Sequence, residues 1–147
     1  MHGEVMVNYW LMKSELDVYP WSQLVEDKTT HWDGVRNYQA RNNLMKMKRG
    51  DHAFFYHTGE EKKIVGIVKI SKEYFTDKTD KNGKFVSIMV QFYKSLEIPV
   101  SLNDIKKHSL LQNLQLLKQS RLSVMSIDSK SWKVICNMGK MLSLIHI

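Results

Sequence analysis

The chain has 147 residues, of which 43% are hydrophobic and 25% are charged, and these values fit one globular domain with its own core. Lys and Arg number 22 against 15 Asp and Glu, a formal charge of +7 that favours an acidic partner, either nucleic acid or an anionic membrane. The single cysteine excludes a disulfide within the chain, and no apolar run approaches the roughly 18 residues that span a bilayer.

The first third of the chain predicts one strand and two helices. Residues 5–12 are almost entirely apolar, which is typical of a strand buried on both faces. Pro20 opens a short helix that runs to Val25, because proline is tolerated in the first turn. Residues 37–47 have the helical period, and the stripe on one face of this helix consists of Ala40, Leu44 and Met47.

The middle of the chain predicts three more strands. Residues 52–57 and 64–71 are two strands joined by a turn. Residues 77–84 are polar and charged and predict a loop. Residues 85–92 alternate between apolar and polar side chains, which indicates a half-buried strand, and Pro99 is expected to break it.

The last third predicts helices. Residues 101–104 have a capping pattern that starts a short helix, and residues 110–117 are apolar enough to cover a sheet. Residues 129–138 predict a terminal helix whose buried side includes Trp132, with Cys136 packed in the core. Short strands interspersed with short helices predict an α+β domain with a small, barrel-like sheet.

The strongest functional signal is the run at residues 32–43, WDGVRNYQARNN. It holds two aromatic rings, two arginines and four side-chain amides, with little apolar filling. Amides and arginines form bidentate hydrogen bonds, and aromatic faces stack on bases, so this set is typical of nucleobase recognition. Each residue alone also has a structural explanation: Asn37 as a helix N-cap, Gly34 as a turn residue and Trp32 as a core ring.

The sequence contains no pattern typical of a metal site, a phosphate-binding loop or a catalytic nucleophile. The histidines lack metal-binding spacing, and the glycines are scattered rather than gathered in a phosphate loop. Ser14, Ser123 and Cys136 lie outside any known nucleophile signature. We therefore predict no metal, no cofactor and no catalytic residue.

Four motifs together resemble the EVE domain family in order and approximate spacing. They are YWLMKSE at residues 9–15, WDGVRNYQARN at 32–42, FFYH at 54–57 and RLSV at 121–124. The resemblance runs from about residue 7 to residue 138, so we expect one domain over residues 1–147. It implies a PUA-like fold, a small mixed β-barrel flanked by short helices and related to YTH and ASCH modules.

The resemblance also implies a pocket for one flipped-out base that carries a modification such as a methyl or hydroxymethyl group. The base-pocket residues that it implies are Trp10, Lys13, Ser14, Trp32, Asn37, Tyr38, Asn42, Tyr56, His57 and Ser123. The basic residues expected to hold phosphates are Arg36, Arg41, Lys46, Lys48, Arg49 and Arg121. Affinity from such contacts falls with salt.

The chain departs from the family pattern at a few positions. Leu16 stands where the first motif usually continues with proline, and Thr58 replaces the serine that usually follows the strand motif. Ser126 lies near a position often held by proline, and Phe85 stands where tryptophan is expected. The loop before Phe85 is short, which leaves open how a flanking strand is held. Residues 141–147 extend past the resemblance, as an added edge strand or a flexible tail.

The main hypothesis is therefore a monomeric, intracellular module that binds DNA or RNA without catalysis and without a membrane, cytoplasmic in a bacterium and nuclear in a eukaryote. The chief alternative is a nuclease or base hydrolase on the same scaffold, with His57 as general base and Lys13 or Arg121 as its electrophilic partner. A third is a module that binds only other proteins.

Overall fold

The computed structural model describes residues 6–140, which form six β-strands, five α-helices and one 3-10 turn. The α+β class is confirmed. The elements in chain order are β1 (Tyr9–Glu15), α1 (Trp21–Asp27), β2 (Thr29–Trp32), α2 (Tyr38–Lys46), β3 (His52–Thr58), β4 (Lys63–Thr76), β5 (Val86–Ser101), α3 (Leu102–Lys107), the 3-10 turn (Ser109–Leu111), α4 (Gln115–Lys118), β6 (Val124–Ile127) and α5 (Ser129–Met138).

All six strands belong to one sheet in the order β2-β5-β4-β3-β1-β6. Strands β1 and β3 pair in parallel, and every other neighbouring pair is antiparallel. Strands β2 and β6 are the two edges and do not pair with each other. Within residues 6–140 the sheet is therefore open, and the predicted closed barrel is not confirmed. The tail at residues 141–147 lies outside the described residues.

Helix α2 packs across the open side of this sheet, from the edge strand β6 to β5, the neighbour of the other edge strand. Strands β4 and β5 are long, at 14 and 16 residues, and their pairing shifts register at several points. Such bulges bend and twist a sheet. Helix α2 contacts both β5 and β6, and Asn43 Nδ2 donates to the carbonyl oxygen of Val124 on the edge strand at 2.8 Å.

Strand β3 is covered on both sides and forms the centre of the core. Phe54 stacks on Trp132 of α5 with ring centroids 3.9 Å apart. Phe55 meets Trp21 of α1 edge to face at 5.0 Å. Both phenylalanine side chains are fully buried, which agrees with the continuous apolar character of this segment.

The prediction that Pro99 ends the fifth strand was wrong, because β5 continues to Ser101. In the β4–β5 pairing, Ile64 lies opposite Val100 and Gly66 lies opposite Ser95. Pro99 thus falls in a stretch where β5 has extra residues, and a proline is tolerated there because no ladder N–H is needed.

The helix predictions at α1, α2 and α5 are confirmed, whereas the short strands β2 and β6 were missed. Each missed strand has four residues, too few to establish an alternating pattern. Ala40, Leu44 and Met47 are fully buried as expected, and so is Cys136. Burial raises the pKa of the Cys136 thiol to about 12, which fits a role in core packing.

Gly66 is the position where a small substitution should cost the most. A Cβ atom there would lie 2.1 Å from the Trp21 ring, and that ring is held because Trp21 Nε1 donates to Ser95 Oγ at 2.9 Å. We expect Gly66→Ala to lower the free energy of unfolding by about 3 kcal/mol, measured by urea denaturation. Combining it with Trp21→Leu should cost less than the sum of the two single changes, and strict additivity would contradict this packing.

Candidate functional site

A cleft with a volume of about 570 Å³ opens between the two edges of the sheet, within the range of small-molecule sites. Its walls come from the end of β1, from β2, from the segment between β2 and α2, and from the residue before β6. The residues predicted for nucleic-acid binding that line it are Lys13, Ser14, Trp32, Arg36, Asn37 and Ser123.

Strand register brings the first and last sequence motifs together at this cleft. Strands β1 and β6 are antiparallel, with Met12 opposite Val124. The next pair outward is Lys13 and Ser123, and the Lys13 N–H donates to the Ser123 carbonyl at 2.9 Å. Two segments 110 positions apart in the chain therefore form one wall.

Trp32, the last residue of β2, offers a hydrogen-bond donor to the cleft. Its ring packs edge-on against Phe55 at 5.5 Å, and only 8% of the residue is exposed. Its Nε1 makes no hydrogen bond within residues 6–140, while every buried side-chain nitrogen and oxygen there has a partner. The indole N–H therefore lies on the small part of the ring that solvent reaches.

Asp33, beside Trp32, places a carboxylate on the cleft wall and was missed by the sequence analysis. The buried hydroxyl of Ser87 donates to Asp33 Oδ1, which holds the side chain in place. The second carboxylate oxygen makes no hydrogen bond within residues 6–140. The pair Trp32 and Asp33 thus presents a donor next to an acceptor.

Three further polar side chains line the cleft. Asn37 caps α2, since its Oδ1 accepts from the Ala40 N–H at 2.9 Å, and its Nδ2 stays unbonded within the described residues. Ser14 is occupied, because its hydroxyl donates to the Tyr19 carbonyl at 2.6 Å. Ser123 lies partly buried with its hydroxyl free of bonds to residues 6–140.

Lys13 is a cation in a partly desolvated position. Its Nζ donates to the Ser120 carbonyl at 2.8 Å and lies 5.7 Å from the Tyr56 ring centroid. Desolvation lowers the pKa of Lys13.

Asp77, between β4 and β5, does not line the cleft but bonds to two residues that do, Gly34 and Arg36. This carboxylate has no solvent exposure. Its Oδ2 accepts from the Gly34 N–H at 2.8 Å and from Arg36 at 3.0 Å, and its Oδ1 accepts from the backbone and hydroxyl of Thr79. Gly34 has φ +84°, a conformation that glycine adopts without strain.

These bonds outweigh the cost of burying the charge. Burial alone would raise the pKa of Asp77, but donors from Thr79, Gly34 and Arg36 together lower that pKa from its usual 3.8 to about 2. Asp77 is therefore ionised at neutral pH and holds residues 34–36 against the loop that follows β4.

Five residues predicted for the pocket do not line the cleft, and three of these five are buried. Trp10 is 5% exposed, and its Nε1 donates to Asp51 Oδ2 at 3.0 Å, so this ring belongs to the core. Tyr56 is 3% exposed and is also a core side chain. His57 is the third, and its ring is fully engaged in other bonds.

His57 supports the start of helix α1. Its Nε2 accepts from the Trp21 N–H at 3.0 Å, so Nδ1 carries the proton and donates to Glu61 at 2.8 Å. Pro20 provides no side-chain cap, and His57 fills that role for a free N–H. With both nitrogens bonded, the pairing of His57 with Lys13 that an enzyme would use is not formed.

Two predicted residues lie beside the cleft on the outer side of α2. Tyr38 is 53% exposed, and the Arg41 guanidinium sits 4.9 Å from its ring centroid. Asn42 accepts from Arg41 at 2.9 Å. Arg121 shares with Asn37 an adjoining shallow depression of about 330 Å³.

The remaining predicted phosphate ligands, Lys46, Lys48 and Arg49, are exposed but lie at or beyond the far end of α2. This helix has nine residues and is therefore about 13 Å long. The length of α2 therefore separates these three basic residues from the cleft.

Neither a metal site nor a membrane-crossing helix is found in the described part of the chain. No group of three or more His, Cys, Asp or Glu between residues 6 and 140 is arranged to hold a metal ion. None of the helices there combines the length and apolar character needed to cross a membrane.

Comparison with known proteins confirms the resemblance found in the sequence. The family model described as EVE domain matches residues 8–138. Thymocyte nuclear protein 1 of Gallus gallus is 35% identical over an alignment of 168 positions, which covers 88% of this chain and 68% of that protein.

Two solved structures are close in fold. Rpa0253 from Rhodopseudomonas palustris has 43% identity and a TM-score of 0.88, covering 92% of this chain and 95% of its own. Human THYN1, solved in complex with DNA containing 5-methylcytosine, has 30% identity and a TM-score of 0.86, covering 90% and 97%. The second structure is thus a nucleic-acid complex of a protein with the same fold.

The bonds to Asp77 predict a pH-dependent contribution to stability. Because the pKa of this group is lower in the folded protein, its ionised form stabilises the fold above about pH 4, and this contribution is lost as the pH falls toward 2. Asp77→Asn should lower the free energy of unfolding at neutral pH by about 2 kcal/mol, and the difference from wild type should shrink below about pH 4.

Urea denaturation across this pH range measures the effect. Asp17→Asn is the control, because Asp17 is exposed and makes no hydrogen bond in the described part of the chain. A constant gap between Asp77→Asn and wild type at every pH would contradict the assigned bonds.

Proposed function

The chain belongs to the EVE domain family, and we propose that it is a nucleic-acid-binding module that holds one modified, flipped-out base in the cleft without breaking a bond. The observation that carries this proposal is the polar set on the cleft wall. Trp32 Nε1 and Asn37 Nδ2 are donors without a partner among residues 6–140, and so is the Ser123 hydroxyl, while the second oxygen of Asp33 adds an acceptor that is unbonded there. The human relative's complex with 5-methylcytosine DNA supports the same class of partner.

The cleft, with a volume of about 570 Å³, has room for a single base. Flipping a base costs a few kcal/mol, and contacts inside the cleft must offset this. Trp32 is too deeply buried to give a full stacking face, so it acts through its N–H and as an apolar wall next to Val35. A methyl group on the base would pack against this wall, and each buried methyl or methylene contributes about 0.8 kcal/mol.

The Asp33 carboxylate indicates which bases fit. A carboxylate accepts from the exocyclic amino group of cytosine, and adenine offers a similar donor. Thymine and uracil place a carbonyl oxygen at that position, which a carboxylate repels. The cleft donors Trp32 Nε1 and Asn37 Nδ2 then match acceptors on the ring. We therefore infer a preference for an amino-bearing base, with methylated cytosine the first candidate.

Matched tryptophan variants separate the cleft from the core. Trp32→Phe keeps a ring but removes the N–H, and we expect it to weaken binding of an oligonucleotide with one 5-methylcytosine by about tenfold, or 1.4 kcal/mol. Trp10→Phe removes an N–H of the same kind that bonds to Asp51, so it should reduce stability and leave binding unchanged. Fluorescence anisotropy against methylated and plain strands measures both.

Equal losses from the two tryptophan variants would show that the cleft is not the binding site. Wild-type binding that is the same for every base and falls steeply with salt would reduce the protein to a basic surface. No oligonucleotide binding at low salt would favour a module that binds only proteins.

Asp33→Asn tests base identity. The Asn oxygen can still accept from Ser87, while its amino group replaces the free carboxylate oxygen on the cleft wall. We expect the preference for cytosine over thymine to fall by at least tenfold, since a donor now faces the base where an acceptor stood. Asp17→Asn removes the same charge outside the cleft and should keep the preference. Unaltered discrimination in Asp33→Asn would remove Asp33 from the site.

A further inference from the structure

The loop between β4 and β5, residues 77–85, lies directly against the cleft. Its first residue, Asp77, is bonded to Gly34 and Arg36, which both line the cleft. The Thr79 hydroxyl accepts from Arg36 at 2.9 Å. This segment, which we call the β4–β5 loop, therefore adjoins the cleft wall.

The β4–β5 loop is held in one conformation by its own carboxylates. The two oxygens of Asp80 accept from the backbone N–H groups of Asn82, Lys84 and Phe85 at 3.0, 2.7 and 2.9 Å. At the end of the loop, the Phe85 ring centroid lies 5.4 Å from Arg36 Cζ and 5.0 Å from the Tyr38 ring centroid. Asp77 thus bonds to Gly34, Arg36 and Thr79. Asp80 bonds to backbone N–H groups of the loop. Neither carboxylate forms an ion pair with a lysine among residues 6–140.

Three lysines of this loop are free cations. Lys78, Lys81 and Lys84 are exposed, and none of their ammonium groups forms an ion pair or hydrogen bond with residues 6–140. Loop conformation is fixed before any ligand binds, so these charges need no reordering of the backbone to meet a phosphate.

Arg36 and Arg41, unlike the loop lysines, are hydrogen-bonded within the protein. The Arg36 guanidinium donates to Asp77, Thr79 and the Val35 carbonyl. Arg41 donates to the Lys84 carbonyl at 3.1 Å and to Asn42. Their planar forks are used to fasten the β4–β5 loop to α2 and to the cleft wall.

The cleft walls carry carboxylates as well as cations, and the cations are bonded within the protein, Lys13 to the Ser120 carbonyl and Arg36 to Asp77. Glu15 and Asp33 both line the walls, and their carboxylates repel a phosphodiester group. We therefore expect a strand that inserts one base to keep its phosphates outside the cleft, and the β4–β5 loop adjoins the cleft wall at Gly34 and Arg36.

We propose that Lys78, Lys81 and Lys84 hold the phosphodiester backbone that flanks the inserted base, with Arg36 and Arg41 positioning the loop that carries them. This inference rests on the proposed function, since the inserted base sets where the strand runs. The recognised chemistry is a row of phosphates, which DNA and RNA share. The loop supplies affinity that depends on salt, and the cleft supplies the choice of base.

The test compares two triple variants with equal loss of charge. One is Lys78→Ala, Lys81→Ala and Lys84→Ala in the β4–β5 loop. The control is Lys106→Ala, Lys107→Ala and Lys133→Ala, which removes three exposed lysines on α3 and α5 outside the cleft. The probes are a single-stranded oligonucleotide with one 5-methylcytosine, the same strand with plain cytosine, and the nucleoside 5-methylcytidine, which has no phosphate.

The loop variant should reduce the slope of log affinity against log salt by about 2, because each lost phosphate contact on a single strand contributes about 0.7. Its ratio of affinities for the methylated and plain strands should equal that of wild type, and nucleoside binding should be unchanged. The control variant should keep the wild-type slope. Anisotropy gives the strand affinities over a salt series, and calorimetry gives the nucleoside affinity.

Equal slopes for the loop and control variants would overturn the proposal while leaving base recognition intact. Loss of nucleoside binding in the loop variant would also overturn it, because the lysines would then act on the cleft itself. If the wild type does not distinguish methylated from plain strands, the proposed function fails. That failure is measured by the ratio of the two strand affinities, whereas the role of the lysines is measured by the salt slope.

Discussion

A buried carboxylate needs donors from the protein itself, and the way Asp77 obtains them determines the shape of the site. Its donors come from its own loop at Thr79 and from Gly34 and Arg36, which are about forty positions earlier in the chain. Leaving the buried Asp77 carboxylate without these donors would be costly. Hydrogen bonds through Asp77 therefore join the cleft wall to the β4–β5 loop, and we expect a displacement of one segment to shift the other.

The site also depends on the sheet remaining open. Unpaired strand edges expose backbone groups that must be covered, and helix α2 does this at β6 through the bond from Asn43 to Val124. Where α2 begins, at Asn37, the two edges are left apart and the cleft occupies the space between them. Hydrogen bonds between β2 and β6 would close the sheet and remove the room in which a base is proposed to sit.

Apolar periodicity identified helices α1, α2 and α5, because it is a local signal. The polar run at residues 32–43 and the resemblance to the EVE family together named six residues that line the cleft. The resemblance also named Trp10, Tyr56 and His57 for the pocket, and the structure buries these three residues outside the cleft lining. Alternation along a strand shows that neighbours face opposite sides, but it does not show what covers each side. Asp77 was unrecognised for a related reason: its sequence neighbours are polar, and its burial results from partners distant in the chain.

The contrast between arginine and lysine around the cleft gives the two residue types separate tasks. A guanidinium fork can satisfy several acceptors in fixed directions, which suits Arg36 and Arg41 for joining loop, helix and wall. An ammonium on a flexible stem is a mobile charge, which suits a lysine that must follow a backbone without reading its sequence. In the proposed arrangement the charges that attract a strand are not the groups that distinguish one base from another. Affinity and selectivity can therefore vary independently, since the loop lysines can change without altering any group on the cleft wall.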